Sequence, residues 1–122
     1  MKVLFDHNVP EKLRHFQPLH SVSTAREMGW AVLENGTLLR EAELGGFDVM
    51  VTCDQNLSYQ QNLQNRTLAL VILSTNNWNL LKINPEPIAS SLDAAHPGSF
   101  LHLKIQTGAQ RPWGPTRGPQ QS

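Results

Sequence analysis

The chain of 122 residues is long enough for one compact core and too short for two full domains. Hydrophobic residues make up 39% and charged residues 16%, which argues against wholesale disorder. Ten basic residues balance ten acidic ones, so the chain lacks the strong positive field of a protein that grips a long duplex.

Val3-Leu4-Phe5 is a short continuous apolar run, the pattern of a strand buried on both faces of a parallel sheet. It ends at Asp6-His7-Asn8. Asn8 followed by Glu11 reads as a capping box, opening a helix whose apolar side is Leu13 and Phe16 and which Pro18 breaks. His20-Ser21-Val22-Ser23 is a possible second strand. Thr24 and Glu27 form another capping box, for a brief helix stopped at Gly29.

Asn35-Gly36 opens a better helix, with Leu38, Leu39 and Ala42 on one side and Gly45-Gly46 at its end. Val49-Met50-Val51 is a third buried strand, leading to Thr52-Cys53-Asp54. Asn56 caps a short helix carrying Leu57, Tyr59 and Leu63. Leu68 to Leu73 is the clearest strand of all. Trp78 starts a helical stretch interrupted by Pro85 and Pro87, and Ile88, Leu92 and Ala95 suggest a last helix. Phe100 to Ile105 alternates, as an edge strand with one wet side does. Residues 107–122 hold three Gly, three Pro and no acid, and read as a disordered tail after a domain of residues 1–106.

Strands alternating with helices predict an α/β domain with a mainly parallel sheet flanked by helices. Ligands of such sheets bind outside the carboxyl ends of the strands. Asp6 follows the first buried strand and Asp54 the third, so both project near that edge. Two carboxylates brought together repel unless one is protonated or a cation bridges them. Mg²⁺ is commonly held by one or two carboxylates with water and phosphate oxygens. The pair therefore proposes a Mg²⁺ or Mn²⁺ site for phosphodiester chemistry; the alternative is helix capping by each Asp.

Asn8 and Asn56 each stand two residues beyond one of these acids, either orienting metal-bound water or substrate, or capping helices. Glu34 is a candidate third acid or an ordinary exposed loop glutamate. Asp48 is excluded, because it lies at the opposite end of the strand from Asp54, roughly 20 Å away at ~3.3 Å per residue. His7 is placed to touch substrate or metal, or is a loop histidine. Cys53, the single cysteine, rules out a disulfide framework and reads as a packing residue. No GxSxG or GxGxxG stands at these turns. The opening residues do not form a signal peptide, and the longest apolar run is six residues. The expected setting is soluble, reducing and cytoplasmic, with no membrane partner.

The segments Lys2-Val3-Leu4-Phe5-Asp6-His7-Asn8-Val9-Pro10, Ser23 to Trp30 and Phe47 to Leu57 together resemble a short bacterial PIN-like domain, allied to VapC-type toxin ribonucleases, over about residues 1–105. The resemblance implies a three-layer sandwich and Mg²⁺- or Mn²⁺-dependent cleavage of RNA by clustered acids. It also implies a homodimer and a cognate antitoxin. Asp6 and Asp54 match family acids and would bind the metal, with Glu34 assisting. Asn35 and Asn56 stand where the family often has further acids, and with Asn8 they would orient water or substrate. The alternatives are a non-catalytic PIN-like module binding RNA or protein, and a small α/β domain binding a nucleotide or phosphorylated metabolite.

Overall fold

The computed structural model describes residues 1–17, 20–55 and 66–106. The strands are β1 (Lys2–Phe5), β2 (Ser21–Thr24), β3 (Val49–Thr52), β4 (Ala69–Leu73) and β5 (Phe100–Leu103). They form one sheet in the order β2-β1-β3-β4-β5, and every neighbouring pair is parallel. The helices are α1 (Asn35–Leu44), α2 (Trp78–Leu81) and α3 (Pro85–Asp93), with a 3₁₀ turn at Glu11–Phe16. This is the α/β three-layer arrangement that the alternation of strands and helices predicts.

Period-two alternation divides the core between the two faces of the sheet. Val3, Phe5, Val49, Val51, Val71 and Leu73 point to one face, where Leu13, Leu81, Ile88 and Leu92 cover them. Leu4, Met50, Leu70 and Ile72 point to the other, under Leu38, Leu39 and Ala42 of α1. The central strands are buried on both faces, which is why they read as unbroken apolar runs.

Lys2 fixes the amino edge of the sheet. Its backbone N–H donates to Asp48 Oδ2 at 2.8 Å, and its ammonium donates to the Gly45 carbonyl at 2.7 Å, at the end of α1. The last turn of α1 and the entry to β3 therefore sit beside the start of β1. Asp48 is a strand-entry residue, remote from the carboxyl edge. The N-terminus of α1, at Asn35, points toward that edge.

Local expectations differ in five places. The segment after Asn8 is a 3₁₀ turn preceded by Pro10, with no side-chain cap, and Asn8 makes tertiary bonds instead. Phe16 is 40% exposed, stacking on Trp78 rather than entering the core. Thr24 and Glu27 do form the reciprocal bonds of a capping box, at 2.9 and 3.1 Å, yet they close a turn and not a helix. The chain leaves that turn through Gly29 at φ 78°, a conformation that ends helical progress at once. Finally, α1 begins at Asn35 itself, with Glu34 in the cap position and no side-chain cap. In α3, Pro85 stands in the first turn, where its missing N–H costs nothing. Leu101 of β5 is 41% exposed although it lies on the apolar side of the alternation. The expected helix after Asn56 and the tail 107–122 lie outside the described residues.

Candidate active site at the carboxyl edge

The chain leaves β1 for β2 on one side and later returns past β1 to place β3 on the other. The strand order thus reverses between β1 and β3, and at such a reversal the two exits leave a crevice between them. Asp6 follows β1 and Asp54 follows β3, so the two acids flank this reversal.

The sheet ladder runs on into the site. Asp6 N–H donates to the Val51 carbonyl at 2.9 Å, and Ala25 N–H donates to the Phe5 carbonyl at 2.8 Å. These bonds fix the Asp6 backbone from both neighbours. Asp6 is 4% exposed, and an ionised carboxylate that deep requires donors. Thr52 Oγ1 supplies one to Oδ2 at 2.8 Å. The His7 backbone N–H and ring Nδ1 supply two more to Oδ1, at 2.8 and 3.0 Å.

Thr52 is fully buried and joins the two acids. While its hydroxyl donates to Asp6, its oxygen accepts the Asp54 backbone N–H at 3.1 Å. Asn8 Oδ1 lies 3.4 Å from the same hydroxyl and accepts the Cys53 N–H at 2.9 Å, tying the exit of β1 to the exit of β3. Beyond Asp54, Gln55 Nε2 donates to the Cys53 and Leu73 carbonyls, and Gln55 Oε1 accepts from His102 Nε2 at 2.6 Å. Those bonds fasten the exits of β3, β4 and β5 together.

Asp6 and His7 open onto a cleft of about 300 Å³ whose other walls include Glu11, Thr24 and Arg26. The structure therefore unites Asp6, His7, Asn8 and the backbone of Asp54. Glu34 is exposed and is not in the wall of this cleft. Asn35 opens α1 at the same end of the sheet, and Asn56 lies outside the described residues. Glu11 and Arg26 also line the cleft, although no motif marks them as site residues. The signal for Arg26 is its place two residues beyond the end of β2, equivalent to that of His7 after β1.

Mg²⁺ and Mn²⁺ favour hard oxygen donors, and two carboxylates with adjacent amide oxygens are of that kind. Among the described residues, Asp6 Oδ2 accepts one bond, from Thr52, and keeps acceptor capacity. No group of three His, Cys, Asp or Glu side chains that could hold a metal gathers among the described residues. The cleft is walled by Asp6 and Glu11, and Asp54 joins the cluster through its backbone N–H; hard oxygen donors of this kind suit an open, water-completed ion site and not a closed protein cage.

Cys53 packs against the core and directs its thiol to the Thr75 carbonyl at 3.4 Å. Burial, and then the negative charge of Asp6, push its pKa up to about 12. The thiolate is the reactive form. Alkylation by iodoacetamide at pH 8 should therefore run about a thousandfold slower in the folded protein than in urea, followed by mass spectrometry. Comparable rates would show that the thiol is not enclosed.

No helix among the described residues is long and apolar enough to cross a membrane. Comparison with protein-family models, curated proteins and solved structures finds no match to this chain.

Proposed function

We propose that this chain is a PIN-like ribonuclease that uses Mg²⁺ or Mn²⁺, with Asp6 and Asp54 as the carboxylates that hold the ion. The observation that carries the reading is the buried Asp6, bonded to Thr52 at the reversal in strand order, with Asp54 anchored to the same hydroxyl. The ion's chemistry there is activation of water and neutralisation of charge developing on the phosphate.

The chain's own residues supply the rest. Arg26, in the cleft wall, offers a guanidinium to phosphate oxygens. An ionised carboxylate can only accept, so His7 Nδ1 carries the proton it shares with Asp6. With the ring uncharged, Nε2 would be the acceptor offered to a ribose 2′-hydroxyl, the group that separates RNA from DNA. Asn8 holds the two strand exits together. On the resemblance alone the proposal extends to a toxin role, a cognate antitoxin and a homodimer.

Calorimetric titration with Mn²⁺ and a single-stranded RNA cleavage assay test the reading. Wild type is expected to bind Mn²⁺ and to cleave RNA, with cleavage lost in EDTA. Asp54→Asn should bind the ion more weakly and cleave more slowly while retaining its fold. Equal behaviour of the two proteins would remove Asp54 from the site. A second reading, a PIN-like module that binds RNA or protein without cleaving it, draws on the absence of a third gathered acid among the described residues. It predicts RNA binding with no turnover in any divalent ion.

A further inference from the structure

A second cleft, of about 500 Å³, is walled by Pro10, Glu11, Lys12, His15 and Trp78. Pro10 and Glu11 also line the Asp6 cleft, so the two share a wall. We propose that the Trp78 cleft is a stacking subsite for an unpaired base of the RNA strand whose phosphate occupies the Asp6 cleft; the proposal rests on the ribonuclease reading above.

Three features support it. First, the indole is held before any ligand arrives. Trp78 packs on the core, and Phe16 lies against it with ring centroids 5.8 Å apart at 37°. Asn77 caps the first turn of α2, accepting the Asn79 N–H at 2.9 Å. A fixed aromatic surface gives stacking at little ordering cost, and every base has a face to offer. Second, Lys12 and His15 are exposed on the same cleft, where a backbone phosphate beside the stacked base would meet them. Third, Glu11 stands on the shared wall. A carboxylate repels phosphate but accepts hydrogen bonds from an exocyclic amino group. Adenine, cytosine and guanine carry such a group and uracil does not. Glu11 therefore gives the cleft an acceptor that an exocyclic amino group can meet, which favours adenine, cytosine or guanine over uracil.

The test uses fluorescence anisotropy with labelled eight-nucleotide oligoadenylate and oligouridylate, in EDTA so that no strand is cut. Wild type should bind oligoadenylate more tightly than oligouridylate. Trp78→Leu, with its fold checked by circular dichroism, should weaken oligoadenylate binding about tenfold. The double variant Lys12→Ala/His15→Ala changes only exposed side chains and should also weaken it, with a shallower salt dependence. Glu11→Gln should narrow the preference over oligouridylate. If wild type cleaves RNA in Mn²⁺ while all three variants bind like wild type, the stacking subsite is wrong and the ribonuclease reading stands. If wild type neither binds nor cleaves RNA, both fall. If these variants abolish association with a second protein but leave RNA binding intact, the cleft is a protein-docking surface and the subsite is overturned.

Discussion

Replacing Thr52 by Val is expected to lower unfolding stability by about 2–3 kcal/mol at pH 7, although the two side chains have nearly the same shape. The loss comes from the hydroxyl alone. Its hydrogen bond goes to a buried, charged acceptor, Asp6 Oδ2, at 2.8 Å. Its oxygen also receives the Asp54 N–H, which would be left without that acceptor. Thr52→Ser keeps both bonds and should recover most of the difference. Urea melts of the three proteins decide it, since the midpoint should move without a large change in slope. On the ribonuclease reading, Thr52→Val should also cut cleavage by about tenfold or more, because both acids lose their common anchor. A Val variant as stable as wild type would mean that Asp6 draws nothing from Thr52.

Phe5→Ala is expected to cost more stability, about 3–5 kcal/mol, and to affect the site less. Phe5 is fully buried in the face of the sheet covered by Leu13 and α3. Truncating it leaves a cavity between layers that cannot close without moving a strand. Small domains hold roughly 5–15 kcal/mol in all, so the variant should melt far earlier yet still fold in the cold. The backbone bonds that position Asp6, to Val51 and from Ala25 to Phe5, involve no side chain of residue 5. Mn²⁺ affinity measured well below the melting transition should stay within about threefold of wild type. Together the two variants separate the support of the core from the support of the site. Equal loss of Mn²⁺ affinity in both would show that the site has no local anchor of its own.

The contrast also explains what could be read from residues alone. Strands β1, β3 and β4 announce themselves because burial on both faces demands unbroken apolar runs, and the period of α1 shows in Leu38, Leu39 and Ala42. Asp6 and Asp54 stand out because they end such runs. Asn8 is different. Its spacing to Glu11 is that of a capping box, but its oxygen is used on Cys53, 45 residues away. Local pattern cannot anticipate a partner that exists only once β3 lies beside β1. Arg26 escapes for the same reason: it reaches the cleft through the placement of β2 next to β1, and strand order is not written in periodicity. The Thr24–Glu27 pair shows the converse, a local signal that forms its bonds while Gly29 ends the helix before it begins.

The parallel pairing of every strand has a bearing on how the chain comes to be folded. No two of the described strands are joined by a hairpin, so each of their ladders must close a loop through at least one intervening segment before it gains a contact. The inner partner of β1 is β3, with Val3 opposite Val49. During synthesis from the amino end, the first strand emerges with its inner edge bare and stays so until some fifty residues have followed. Over that interval Val3, Leu4 and Phe5 lack their inner partner, with only β2 able to pair on the other side. At about 5–20 residues per second that is several seconds of exposure on the ribosome. The acids at the exits of β1 and β3 come together only when that wait ends, so the growing chain has no assembled site before β3 docks.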